Sequence, residues 1–175
     1  IGGHSDVVAG VVIGRDAELH KRVKKEAELL GATLDPFAAW LLIRGLRTLP
    51  VRMEYHQRSA LELARWLERQ PRIVRVHHPG LESHPQHEIA IRQLRGFGGV
   101  FSFELKEQSA AATHAFINHL RLFSIGVSWG GFESLVVGGK FFDHDTDDPR
   151  WVIRLHIGLE TTQDLRADIE QALGR

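Results

Sequence analysis

The chain has 175 residues, 43% of them apolar and 25% charged, with 22 Lys plus Arg against 22 Asp plus Glu. That length suits one domain, or one domain with part of another, and the even charge argues against a non-specific nucleic-acid binder or a polybasic membrane surface. Cysteine is absent, which excludes disulfides and thiolate-bound metals and fits a reducing compartment.

Val7 to Ile13 is a continuous, mostly β-branched run. Such a run reads as a strand buried on both faces, as inside a parallel sheet; only one other segment resembles it, so the expected sheet lies largely outside this chain. Residues 15 to 30 read as a solvated helix with Gly31 as its stop. Asp35-Pro36 reads as an N-cap followed by an N1 proline. The helix it opens, through Ala38-Ala39-Trp40-Leu41-Leu42-Ile43, is apolar nearly all round and is expected to be buried on more than one side. Pro50 is expected to end or kink it. Ala60, Leu63, Ala64 and Leu67 then fall on one helical face, and Ser59 with Glu62 matches a capping box.

Beyond this the pattern is that of an α+β unit. Ile73 to His77 reads as a short strand, Pro79-Gly80 as a break, 86 to 95 as a helix and Gly96 to Gly99 as a loop. Phe101, Phe103 and Leu105 alternate with Ser102 and Glu104, the signature of a half-buried strand. Ala112, Ala115, Phe116 and Leu120 mark another helix. Asp143 to Asp148 reads as an exposed loop. Ile153, Leu155 and Ile157 alternate with Val152, Arg154 and His156, and Leu165, Ile169, Ala172 and Leu173 form the stripe of a last helix. No apolar run approaches the roughly 20 residues of a membrane span, and no basic-then-apolar leader opens the chain. A soluble cytoplasmic protein is the expectation.

Four features could carry chemistry. Arg154 lies mid-strand, where a guanidinium needs an anionic partner; its planar fork suits a carboxylate, from a ligand or from a structural acidic residue. Ser128-Trp129-Gly130-Gly131 could bring backbone close to a ligand with an aromatic wall beside it, or could be a strand-to-helix turn with a core aromatic. His84 and His87 have a zinc-like spacing, but Pro85 separates them and no third ligand follows, so no metal is expected. A Schiff-base lysine must be desolvated or lie beside another cation. Lys21, Lys24 and Lys25 lie in a charged helix, Lys106 follows a strand, and Lys140 reads as a loop lysine lying over aromatics.

These segments together resemble one family, the pyridoxal-phosphate-dependent transsulfuration enzymes of cysteine and methionine metabolism. The resemblance rests on Gly3-His4-Ser5-Asp6 with the apolar run after it, and on Leu34-Asp35-Pro36-Phe37 with Arg44-Gly45-Leu46-Arg47-Thr48-Leu49. His78-Pro79-Gly80-Leu81, Ser83-His84-Pro85-Gln86-His87-Glu88 and Gly98-Gly99-Val100-Phe101-Ser102-Phe103-Glu104-Leu105 follow in order, and Ile153-Arg154-Leu155-His156-Ile157-Gly158-Leu159-Glu160 closes the set. Trp129, where many γ-lyases and γ-synthases have leucine, is similar to the bacterial cystathionine β-lyases.

The resemblance implies an α/β fold: the C-terminal part of the aspartate-aminotransferase-like (fold type I) architecture. Residues 1–50 would be the end of the large cofactor-binding domain with the linking helix, and 51–175 a small α+β domain. It implies that Arg154 clamps a substrate α-carboxylate and that Ser128 and Trp129 line the same pocket. It implies a sulfur amino acid such as cystathionine as substrate, cleavage by β-elimination, and a homotetramer. The γ-lyase and γ-synthase reactions remain alternatives, as does an inactive packing or oligomerisation fragment. It places the cofactor lysine two residues upstream of Ile1, so no catalytic residue and no cofactor binding are expected of this chain alone.

Overall fold

The computed structural model describes residues 1–142 and 149–174, leaving the expected loop at Asp143 to Asp148 outside the described residues. These form two compact units, Ile1–Leu49 and Pro50–Arg175.

In the first unit, α1 spans Ala17–Leu29, and Asp16 caps it by accepting from the N–H groups of Glu18 and Leu19. None of its residues is buried. The helix α2, Pro36–Leu67, opens as the Asp35-Pro36 pair predicts: Asp35 Oδ1 accepts from Phe37 N at 2.9 Å and Ala38 N at 3.2 Å. Two expectations fail in this unit. Val7 to Ile13 is not a strand, and Val8, Val11, Val12 and Ile13 are exposed. A strand needs ladder partners on its edges, and the strands that this chain forms pair with one another elsewhere. The Trp40 helix is also not buried on several sides, since Trp40, Ile43 and Leu46 are each about half-exposed.

Pro50 does not end α2, which continues to Leu67. A proline removes one N–H and crowds one carbonyl, and the tertiary burial beyond it outweighs that cost. Ala60, Leu63, Ala64 and Leu67 are each fully buried, contributing roughly 1.5–3 kcal/mol per leucine. The capping-box reading of Ser59 and Glu62 fails for the same reason: Ser59 sits mid-helix, buried, and its Oγ accepts from Thr162 Oγ1 at 3.0 Å.

The second unit is a five-stranded sheet with helices packed on it. In chain order its elements are β1 (Ile73–His77), α3 (His87–Gln93), β2 (Val100–Leu105), α4 (Ala110–His119), β3 (Ser124–Ile125), β4 (Leu135–Phe142), β5 (Pro149–His156) and α5 (Thr162–Leu173). The strand order is β1-β2-β5-β4-β3; β3 and β4 run parallel and the other neighbours antiparallel. One face of the sheet carries Phe101, Phe103, Leu105, Val136, Ile153 and Leu155 into a core shared with α2, α4 and α5. Phe103 meets Phe116 of α4 edge-on at 5.5 Å, and Leu165 and Ile169 bring the stripe of α5 onto the same core.

Three details depart from the sequence reading. Glu104, expected on the wet side of β2, is buried and lies 2.7 Å from His77 Nε2 and 3.6 Å from Arg150. Asp168, on the apolar helix α5, is also buried; its carboxylate accepts from Arg121 N at 2.9 and 3.0 Å and from Leu122 N at 2.8 Å. Strand β4 went unrecognised, so Lys140 belongs to a strand and not to a loop. Its centre is Gly138-Gly139, a pair that normally weakens a strand. Here a Cβ on Gly138 would come within 2.5 Å of Thr113 Cγ2 and 2.8 Å of Ile117 Cδ1, so glycine is what allows α4 to lie close to β4.

Candidate functional site: an arginine and a tethered loop

Arg154 and His156 stand two residues apart on β5, on the face opposite Ile153 and Leu155, because side chains alternate along a strand. Across the ladder Arg154 is flanked by Ser102 on β2 and Val137 on β4, and His156 by Val100 and Leu135. The loop from Gly126 to Ser134, between β3 and β4, lies against this end of β5. It leads from strand to strand, so the strand-to-helix alternative for Ser128 to Gly131 does not hold.

The loop is fastened at both ends. Gly126 N donates to Val136 O at 3.1 Å, and Leu159 N donates to Phe132 O at 2.8 Å. Glu160 accepts from Ser134 N at 2.8 Å and from Ser134 Oγ at 2.7 Å. Ser134 Oγ in turn accepts from Gly158 N at 2.8 Å, and Tyr55 Oη of α2 donates to the Glu160 carbonyl at 3.0 Å. Gly130 takes a φ of +83°, a left-handed conformation that favours glycine.

Arg154 Nη2 donates to the carbonyls of Val127 at 2.7 Å and Ser128 at 3.2 Å. Its Nε–H is buried with no partner. A main-chain pair thus fixes the plane of the guanidinium, and Nη1, which makes no hydrogen bond among the described residues and is not buried, is the donor left for a ligand. A carboxylate suits it, because charge-assisted pairs are about twice as strong as neutral ones. The structure therefore brings Arg154 to Ser128, through the serine's carbonyl. Trp129, the next residue, is largely exposed.

His156 is the neighbour that sequence reasoning passed over. It is buried, with Nε2 3.1 Å from Gly130 N and 3.2 Å from Gly131 O. Its ring lies 5.3 Å from that of His56, whose Nδ1 donates to Ile157 O at 2.7 Å. Burial pushes His156 below the usual imidazole range, aided by His56; the Gly131 carbonyl, Glu133 and Glu160 act in the opposite direction. The strand alternation placed His156 beside Arg154 but gave no sign that the loop would cover it.

The other candidates do not converge here. His87 Nδ1 donates to the Pro79 carbonyl at 3.0 Å, and His84 Nδ1 accepts from Gln86 N at 3.2 Å. Among the described residues no three His, Cys, Asp or Glu side chains gather as metal ligands, and no helix is long and apolar enough to cross a membrane.

A family model described as Cys/Met metabolism PLP-dependent enzyme matches residues 1–174. A cystathionine β-lyase of Bordetella avium is 42% identical over 180 residues, covering 100% of this chain and 45% of that protein. A cystathionine γ-lyase of Dictyostelium discoideum is 40% identical over 184 residues, covering 100% of this chain and 47% of that protein. The crystal structure of a cystathionine γ-synthase from Xanthomonas oryzae pv. oryzae superposes with a TM-score of 0.88 at 41% identity, over 99% of this chain and 47% of that one. The chain thus has the fold of part of these enzymes and spans about half the length of the relatives it matches.

A lysine that carries pyridoxal phosphate must be desolvated or sit beside a cation. All five lysines of this chain are exposed; Lys21 pairs with Glu18 at 2.8 Å and Lys24 lies 3.9 Å from Glu28. None of the five lysines is desolvated in the way that such a lysine requires.

Proposed function

The chain belongs to the PLP-dependent enzymes of Cys/Met metabolism, and we propose on that premise that it is the C-terminal half of a lyase that cleaves the C–S bond of cystathionine. The reaction is β-elimination: cystathionine and water give homocysteine, pyruvate and ammonia. Arg154 holds the substrate α-carboxylate, and Ser128 and Trp129 line the same pocket. The observation that carries this reading is the placement of Arg154: Nη2 is tied to the carbonyls of Val127 and Ser128, which fixes the guanidinium beside the Ser128-Trp129 loop, while Nη1 makes no hydrogen bond among the described residues and is not buried. A carboxylate at Nη1 would form a charge-assisted pair.

The cofactor and its lysine are supplied by the rest of the enzyme, since every lysine here is exposed. Alone, the chain binds no pyridoxal phosphate specifically. The complete enzyme is a cytoplasmic homo-oligomer, a tetramer by analogy with the family.

A second reading, cleavage or synthesis at the γ-carbon, is favoured by the relatedness of the chain to a γ-lyase and a γ-synthase at about the same identity. Product analysis of the complete enzyme with cystathionine separates the two. Homocysteine with pyruvate supports β-elimination, and cysteine as the amino-acid product supports the γ-reading. An enzyme that releases neither and also forms no cystathionine from cysteine and an O-acylhomoserine, with the cofactor bound, overturns both.

A further inference from the structure

Five residues of the loop, 127 to 131, lie between its main-chain fastenings at Gly126 and Phe132. Two side chains of β5 form hydrogen bonds with this stretch. Arg154 holds the carbonyls of Val127 and Ser128, and His156 holds Gly130 N and Gly131 O. Trp129 stands between the two tethers. We infer that His156 is a positioning residue for Arg154: by gripping Gly130-Gly131 it presents the Val127 and Ser128 carbonyls that orient the guanidinium for a carboxylate. The inference rests on reading Arg154 as the carboxylate clamp.

The geometry gives the mechanism. A single neutral imidazole nitrogen either accepts from Gly130 N–H or donates to the Gly131 carbonyl. Both partners lie within 3.2 Å of Nε2, so either tautomer keeps one tether. Apolar replacement of the ring keeps its bulk but removes both, leaving the Gly130 N–H and the Gly131 carbonyl unmatched. The stretch around Trp129 would then be held by Arg154 alone, and the arginine would be orienting the loop that ought to orient it. Protonation has a milder form of the same effect, because the imidazolium can no longer accept from Gly130. The groups acting on the ring are His56 on α2, Glu133 in the loop and Glu160 beyond β5.

The test uses the complete enzyme with its cofactor, isotope-labelled, with L-alanine as a probe α-amino acid and the Arg154 Nε–H resonance as the reporter, at constant ionic strength. In the wild-type enzyme the resonance should shift saturably with L-alanine. Arg154→Lys, which lacks the reporter, is followed through the amides of Val127 and Ser128, and these should not saturate. His156→Phe should weaken binding about tenfold, the loss of one good hydrogen bond, while His156→Gln, which can accept and donate, should restore it. If wild type and Arg154→Lys respond alike in those amides, the clamp reading falls and this inference with it. If wild type saturates and His156→Phe binds equally well, the clamp stands and the positioning role is wrong. Should His156→Phe not fold, a pH series on the wild type decides. Affinity should drop as the His156 ring resonance reports protonation, and affinity that stays flat through that titration overturns the inference.

Discussion

His78 should make the fold lose stability in mild acid, and the size of the loss follows from its surroundings. The side chain is 1% exposed and lies against Phe97 at 5.5 Å and Phe101 at 5.9 Å. Its Nδ1 accepts from Gly80 N at 2.9 Å, so the ring is neutral with its proton on Nε2, and that Nε2 has no partner. Burial is the main cause that pushes His78 from 6.5 down to about 4; His84 and Arg65 add to it, and a main-chain hydrogen bond opposes it. A folded-state value below the unfolded one means that the unfolded chain takes up the proton first. The stabilisation is therefore fully present above pH 6.5 and is lost as pH falls toward 4. At about 1.36 kcal/mol per unit, the full span is about 3 kcal/mol, of which about 2 kcal/mol is gone by pH 5. His78→Asn removes the titration while its Oδ1 can still accept from Gly80. Urea unfolding at pH 7 and pH 5 should show the wild type losing about 2 kcal/mol more than this variant. An equal loss in the two proteins would mean that His78 protonates without resistance and is not buried in the way described.

Asp168→Ala should cost about 3 kcal/mol in urea unfolding at pH 7, because the buried N–H groups of Arg121 and Leu122 lose their acceptor; a change within experimental error would show that water takes its place. The chain alone should self-associate. Val8 and Ile13 are at least 90% exposed, and the stacked pair Phe37 and Trp40 is more than half exposed; exposed apolar surface drives association. Sedimentation velocity at several concentrations checks this, and a monomer at all of them would count against it.

The strands and helices of the second unit were readable wherever a period of 2 or 3.6 was clean. Ile153, Leu155 and Ile157 marked β5, and Leu165, Ile169, Ala172 and Leu173 marked α5, since burial on one face is what produces such a pattern. Strand β4 was not readable because its centre is Gly138-Gly139, chosen for the approach of α4, and a local pattern carries no information about the distant Thr113 and Ile117 that this approach brings against it. Pro50 misled for a similar reason: its local cost is fixed, but the burial of Leu63 and Leu67 that outweighs it is tertiary. The stripe of α5 says nothing of Asp168, and the alternation along β2 points Glu104 to the wet side. Their partners, at Arg121 and Leu122 for one and at His77 and Arg150 for the other, are distant in sequence. At the candidate site, the alternation on β5 was enough to single out Arg154 as an arginine in need of an anion. That its Nη2 would already be occupied by the loop's own carbonyls, and that His156 would be the loop's other tether, depended on a turn whose path no spacing encodes.

The most direct test of the carboxylate-clamp account is the KM for cystathionine of Arg154→Lys in the complete enzyme, recorded together with its cofactor absorbance. Lysine keeps the charge and loses the fork. A charge-assisted pair to the carboxylate is worth about 1.5–3 kcal/mol, so KM should rise roughly ten- to over a hundred-fold with the absorbance unchanged. An unaltered KM, or a loss of the cofactor or of the fold with no selective loss of substrate affinity, would show that Arg154 is a structural residue and not the clamp.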